Sequence, residues 1–200
     1  MLTIHHRSSI KLSYFSQRRP LDRDQVPRKG GQGAVTSAEL LAVAAISEGR
    51  YAQAFPSFGP ERRGAPVVAY ARVDDHPIRL RTNIYHPDVV VILDPGLLEV
   101  ANVLEGLKEG GTVVINTNKP VEELGIEGNF RVAVVDADRI AREVLGRPIT
   151  NTTMLGALLK AVEIVSPSSL IEPLNKRFGR IASKNVEAFQ RAYKETKVIQ

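Results

Sequence analysis

Two short stretches concentrate the residue types that bind anions. Gly30-Gly31-Gln32-Gly33 is a glycine-rich turn directly ahead of a run patterned as a helix. Without Cβ atoms its backbone N–H groups can approach a ligand closely, and the positive end of the following helix adds to the attraction. A phosphate suits such a turn. The spacing is neither that of a dinucleotide fingerprint nor that of a P-loop, because no Lys-Ser/Thr follows. A tight strand-to-helix turn whose glycines allow close packing is the competing reading. The second stretch is Phe55-Pro56-Ser57-Phe58-Gly59-Pro60-Glu61-Arg62-Arg63-Gly64-Ala65-Pro66, inside a segment, 51–68, that reads as a surface loop. Pro56 and Pro60 lock φ, while Gly59 and Gly64 admit dihedrals closed to other residues, so Glu61, Arg62 and Arg63 are presented on a shaped loop. Arg62 or Arg63 can pair bidentately with a carboxylate or a phosphate. The alternative is that Glu61 simply pairs with one arginine at the surface, worth about 0–1 kcal/mol.

Other polar positions have ordinary structural explanations beside functional ones. Asp94 closes a valine-rich run, where open α/β sheets bind ligands beyond the carboxyl ends of their strands. Standing before Pro95 it also reads as an N-cap, as do Asp136 and Asn151. His5, His6, His76 and His86 have no metal-ligand spacing with a carboxylate. There is no Gly-x-Ser-x-Gly elbow and no evident Ser/His/Asp set, so no catalytic residue and no metal are assigned to this chain.

The 200-residue sequence contains no cysteine, which excludes a disulfide, Cys-ligated zinc and a Cys-ligated iron–sulfur cluster from this chain. An apolar fraction of 43% with charges of both signs indicates a globular protein. Lys and Arg total 27 against 22 Asp and Glu, a net charge of +5 that permits a nucleic-acid or anionic-cofactor partner. The positive charges are scattered, densest at Arg18, Arg19 and Arg23, and form no stripe. No apolar run reaches the ~20 residues that span a bilayer, and no signal-peptide core is present, so the expectation is a cytoplasmic protein without membrane contact.

The elements that would position these residues follow from the patterning. Residues 1–29 form an atypical N-terminal arm in which only 10–15 has strand character, followed by a polar linker holding Pro20 and Pro27. Thr36-Ser-Ala-Glu39 reads as a capping box opening a helix that Gly49 stops. Residues 65–73 and 77–80 read as a hairpin turning at Asp74-Asp75. The aliphatic run 88–93 predicts a strand buried on both faces, followed by a helix from Pro95 to about 107. Strands at 112–116 and 130–135 come next, the second leading into a helix over 136–145. Three helices follow, at 152 to about 164, 168–178 and 183–195; Leu155, Leu158, Leu159 and Val162 share one face of the first, which is expected to pack on the sheet or on a partner. The fold class is α/β: an open, mostly parallel sheet flanked by helices, with a β-hairpin insertion and a C-terminal helical segment. Residues 30–200 form a single domain whose helical part is 150–197.

Taken together, Gly30-Gly-Gln-Gly33, the Phe-Gly-Pro-Glu-Arg-Arg-Gly form of 58–64 and Asn151-Thr-Thr-Met-Leu-Gly-Ala157 resemble the gamma subunit of the 2-oxoacid:ferredoxin oxidoreductases, from Gly30 to about Ala192. The loop is similar to that of the pyruvate and 2-oxoisovalerate branch; the 2-oxoglutarate branch carries a Tyr-Gly-…-Ala-Arg-Gly version. In that family a short aliphatic strand runs directly into the glycine turn. Here Arg28-Lys29 precede it and 16–29 holds no strand, so either 10–15 stands in through a long connection or an altered start or reading frame precedes the turn.

The resemblance implies one subunit of an assembly that oxidatively decarboxylates pyruvate or a branched-chain 2-oxoacid, with coenzyme A as co-substrate, to acyl-CoA, carbon dioxide and reduced ferredoxin. It implies alpha, beta and delta partner subunits holding thiamine diphosphate, Mg and the iron–sulfur clusters, with ferredoxin reached through the complex and no cofactor bound by this chain alone. The share left to this chain is docking and the positioning of coenzyme A. Gly30, Gly31, Gln32 and Gly33 would serve as a phosphate turn, and Phe58, Gly59, Glu61, Arg62, Arg63 and Gly64 would contact a partner or coenzyme A. The alternative is a stand-alone nucleotide- or nucleic-acid-binding α/β module, against which stand the scattered charge and the absence of interleaved aromatic and basic residues.

Overall fold

The computed structural model describes residues 8–14, 32–57 and 67–199. A seven-stranded sheet in the order β2-β3-β1-β4-β5-β6-β7 organises the chain, with β1 at Ser8–Tyr14, β2 at Tyr51–Ser57, β3 at Val67–Asp74, β4 at Val89–Ile92, β5 at Thr112–Asn116, β6 at Arg131–Val135 and β7 at Lys197–Ile199. Strands β1, β4, β5 and β6 pair in parallel. Strand β3 is antiparallel to both β1 and β2, so β2 runs with β1; β7 is antiparallel to β6. Five strands therefore share a direction and two oppose it, the mostly parallel α/β sheet expected from the sequence.

Strand β4 shows why the aliphatic runs become central strands, since all four residues are buried. Val89 and Val91 point into one core and Val90 and Ile92 into another, as the two-residue period of a strand requires. The first core is covered by α1 (Gln32–Ser47) and α4 (Asn151–Ala161). The second is closed by Leu97 of the short α2 (Leu97–Val100) and by residues such as Val103, Leu107, Leu124 and Phe130 from turns. Helices α3 (Ala137–Leu145), α5 (Ile171–Phe178) and α6 (Ala182–Glu195) complete the helical side.

Several elements differ from the sequence reading. Strand β3 forms its hairpin with β2, through 58–66, whereas 77–80 is neither strand nor helix. Residues 51–57 are thus an edge strand and not part of a loop; Pro56 is tolerated because one side of an edge strand needs no ladder donor. Helix α1 starts at Gln32, one turn before Thr36, so Thr36 and Glu39 lie inside the helix and form no capping box. Gly49 does stop it, at φ +80°. The helix expected from Pro95 to about 107 is only four residues long, because the backbone turns extended at Ala101; at Gly106 a positive φ of 80° and the adjacent Tyr85 carbonyl leave no room for a Cβ. In α4 every residue except Lys160 is buried, so the helix packs on more than one face: it is sandwiched between the sheet and α6. Strand β7 was not anticipated.

Strand β1 contains most of the 10–15 stretch and sits between β3 and β4. Alternation explains its place: Ile10 and Leu12 are buried in the first core, while Ser9 and Lys11 face the other way. Lys11 Nζ donates to the Val103 carbonyl at 3.1 Å. Burial lowers the pKa of this ammonium, partly offset by Glu105.

Candidate functional site

The parallel strands bring their carboxyl ends to one edge of the sheet, where the described residues Gly33, Asp94, Asp136 and Asn151 lie. Gln32 and Gly33 form the first turn of α1, which follows β1; Gly30 and Gly31 lie outside the described residues. Ser57 and Val67 flank the arginine loop, and the pairing of Tyr14 with Val67 and of Ser57 with Val68 puts both at this same edge. Phe58, Gly59, Glu61, Arg62, Arg63 and Gly64 also lie outside the described residues.

The first turn of α1 meets the first turn of α4. Ser37 Oγ is 3.0 Å from the Gly33 carbonyl and 3.1 Å from the Asn151 carbonyl, able to donate to either. A Cβ built on Gly33 would lie 3.6 Å from Asn151 Cβ and 4.0 Å from Leu93 Cδ2, ordinary contacts that packing tolerates. Among the described residues, close packing therefore does not require a glycine at 33. No acidic residue sits in the first turn of α1, so the positive end of its dipole is not neutralised from within. Arg177 of α5 adds a cation near this end, its Nη2 3.4 Å from Thr36 Oγ1.

Asn151 is not the cap expected of it. It is the first residue of α4, only 6% exposed, and among the described residues its Oδ1 has no hydrogen-bond partner. A buried amide oxygen left unbonded costs about 1–3 kcal/mol, which marks the position as one where a donor is wanted.

Beside this meeting point, a cleft of about 560 Å³ opens over the ends of β4, β5 and β6, lined by residues that include Gly96, Asn116, Thr117, Lys119, Asp136 and Arg142. Asn116, buried at the end of β5, organises its floor. Its Nδ2 donates to the Leu93 carbonyl at 3.0 Å and to Asp138 Oδ2 at 3.3 Å, and its Oδ1 accepts from the backbone N–H groups of Ala137 and Asp138 at 2.9 and 3.3 Å. Asp136 caps α3 as expected, accepting from the Arg139 N–H at 2.9 Å. Asp94 instead closes a tight turn, accepting from the Gly96 N–H at 3.0 Å. Among the described residues Lys119 and Arg142 make no ion pair, and the cleft sets these two cations among the carboxylates of Glu99, Glu123, Asp136 and Asp138.

Of the histidines, His76 and His86 are exposed, and His76 lies 3.6 Å from Asp74; His5 and His6 lie outside the described residues. Among the described residues no three His, Cys, Asp or Glu side chains group as a metal site. Sequence reasoning missed Ser37, Arg177 and Asn116. Only Asn116 carried a usable signal, as a lone amide ending an aliphatic strand.

The profile of the pyruvate ferredoxin/flavodoxin oxidoreductase family matches residues 29–195. The chain belongs to this family. Over 174 residues it is 53% identical to the pyruvate/ketoisovalerate oxidoreductases common subunit gamma of Thermococcus litoralis, covering 85% of this chain and 94% of that protein. It is 51% identical over 168 residues to the pyruvate synthase subunit PorC of Methanothermobacter thermautotrophicus, covering 84% and 91% of the two chains. The crystal structure of the pyruvate oxidoreductase subunit PORC of Thermotoga maritima superposes with a TM-score of 0.80 at 33% identity, covering 97% of this chain and 99% of that one. The gamma-type chains of the pyruvate ferredoxin oxidoreductase family are thus what this protein resembles in sequence and in fold. None of these relatives supports the stand-alone nucleotide- or nucleic-acid-binding module. In this family setting, the missing aliphatic strand before the glycine turn has a counterpart in β1, joined to α1 through 15–31.

Proposed function

We propose that this chain is the gamma subunit of an assembly that oxidatively decarboxylates pyruvate or a branched-chain 2-oxoacid with coenzyme A, passing the electrons to ferredoxin. Its relatives' identities as subunits of pyruvate and ketoisovalerate oxidoreductases support this reading. Thiamine diphosphate with Mg and the iron–sulfur clusters belong to the alpha, beta and delta partners, where they supply the carbanion and electron-transfer chemistry. The cysteine-free sequence offers no thiolate for a cluster, in keeping with that division. No helix among the described residues is long and apolar enough to cross a membrane, and the assembly is assigned to the cytoplasm.

The chain's own contribution is to dock and to help position coenzyme A. The observation that carries this is the meeting of two helix N-termini at the carboxyl edge of the sheet, where Gly33 leaves the backbone open and Asn151 holds an unbonded amide oxygen in the interior. Phosphate groups fit the N–H groups of Gly30, Gly31, Gln32 and Gly33, and Arg62 or Arg63 supplies the fork-shaped cation that phosphate favours. Phe58, Gly59, Glu61 and Gly64 complete the set proposed to contact a partner or the coenzyme. In the purified assembly, Arg62→Ala combined with Arg63→Ala is expected to raise the KM for coenzyme A about tenfold or to lower the recovery of intact complex. Unchanged kinetics together with unchanged complex yield would reject the assignment.

A further inference from the structure

Between β3 and β4 the chain runs through 75–88 without helix or strand, yet it is firmly held. Arg72 of β3, 6% exposed, donates from Nη2 to the carbonyls of Thr82 and Asn83 at 2.5 and 3.3 Å. Gln53 of β2 donates from Nε2 to the Ile78 carbonyl at 3.2 Å. Ile84 and Pro87 are buried, and the Asp88 N–H reaches the Ser9 carbonyl at 2.8 Å. The Arg72 guanidinium also lies over the Phe55 ring, 5.2 Å from its centroid. These anchors make the segment a shaped strap across the face of the sheet opposite α1 and α4.

What the strap shows to solvent is unusual in kind. Arg79, Leu80 and Arg81 are consecutive and exposed, Leu80 at 47% and Tyr85 at 70%. Among the described residues neither Arg79 nor Arg81 has a carboxylate partner. The strap contains no lysine. Arginine and tyrosine are the residues enriched where protein surfaces meet, and lysine is depleted there. Two arginines around a leucine are too short a basic track for a nucleic-acid backbone, which calls for cations repeated along a groove.

We infer that the strap 75–88 is a docking surface for an acidic, partly apolar face of another subunit of the same assembly. This rests on the reading of the chain as a gamma subunit. Carboxylates on the partner would neutralise Arg79 and Arg81 while its apolar atoms cover Leu80 and Tyr85, with Arg72 and Gln53 holding the strap in the shape that binds.

The test uses the native assembly purified through a tag on this chain. A photo-crosslinking phenylalanine derivative replacing Tyr85 is expected to join a different subunit, at a peptide containing Asp or Glu. Arg79→Glu with Arg81→Glu is expected to reduce the retained partner subunits at least tenfold at moderate salt, with Arg79→Gln and Arg81→Gln intermediate. Crosslinks confined to a second copy of this chain or to nucleic acid, or no crosslink at all, would overturn the inference. So would full subunit retention in the charge-reversed variant. If the unaltered chain purifies with no partner subunit, the assembly reading falls as well, which separates that failure from a failure of the strap alone.

Discussion

The hydroxyl of Ser37 stands 3.0 Å from the carbonyl oxygen of Gly33 and 3.1 Å from that of Asn151, fastening the first turn of α1 to the first turn of α4. Ser37 is 1% exposed, so removing the hydroxyl leaves the buried Asn151 carbonyl without this donor. Ser37→Ala is therefore expected to cost about 1–2 kcal/mol. For a protein of this size that lowers the midpoint of thermal unfolding by roughly 2–4 °C per kcal/mol, which calorimetry would register. A melt unchanged within error would mean that the two helices are not joined through this group.

Two glycines respond to alanine in opposite ways. At Gly156 an added Cβ would run into the Phe189 carbonyl and come within 3.0 Å of the Tyr193 nitrogen and 3.1 Å of Ala192 Cβ, because α4 and α6 approach backbone to backbone there. Gly156→Ala should destabilise by about 1–3 kcal/mol even though alanine favours the helix. Among the described residues Gly33→Ala meets only ordinary contacts, and it should leave stability equal or up to about 1 kcal/mol higher. If the turn receives a coenzyme phosphate, the same change weakens coenzyme A binding in the assembly. Calorimetry of both variants, with the coenzyme A KM for the second, checks the contrast.

The opposite fates of these glycines show what sequence patterning could convey. Strands β4, β5 and β6 were readable because burial on both faces leaves near-continuous aliphatic runs, as in Val89-Val-Val-Ile92. Strand β2 was hidden by Pro56 and the following glycines, whose local turn signals outweighed the alternation that sends Ala52 and Ala54 to the core. Helix α2 was overextended because nothing in the local pattern marks Ala101, where the backbone turns extended. At the site, Gly33 announced itself by type. Asn151 looked like a cap, since a polar residue before an apolar helix has that look whether its oxygen reaches backward to the turn or is left in the interior. Ser37 and Arg177 act through partners 114 and 141 residues away, a separation no local pattern encodes.

Asn116 supports the cleft from below. Its Oδ1 serves two N–H groups at the start of α3, doing from a neighbouring strand part of what a cap does. Asn116→Ala should cost about 2–3 kcal/mol by leaving the buried Ala137 N–H and Leu93 carbonyl without this partner. Asn116→Asp keeps the acceptor but sets a second carboxylate about where Nδ2 now lies, 3.3 Å from Asp138 Oδ2. Repulsion then raises the pKa of the pair in the folded state, so the aspartate variant should lose stability as pH rises through the carboxylate range and recover on acidification. Chemical denaturation at two pH values separates the two variants.

An ionic network joins α3 to α6 and sets the response to acid. Arg191 Nη2 meets Glu143 Oε2 at 2.7 Å and its Nε meets Glu195 Oε1 at 2.9 Å, while Arg139 Nη2 reaches Glu195 Oε2 at 2.5 Å. The hydrogen bond from Arg191 holds the Glu143 carboxyl below the usual range. At Glu195 burial pushes upward, but the bonds from Arg139 and Arg191 outweigh it and the pKa is lowered. A carboxyl whose pKa is depressed on folding stabilises the fold above its unfolded pKa, near ~4.3 for Glu, and loses that contribution as pH falls through the lower folded value. The protein should therefore lose stability on acidification below about pH 4.3, and less steeply when Glu143→Gln and Glu195→Gln are combined. Because all four side chains are solvent-accessible, added salt should weaken the network at neutral pH and shrink the difference between the two proteins. Unfolding curves from pH 7 to 3 at low and high ionic strength test both statements, and parallel curves at low salt would show that the network does not couple to folding.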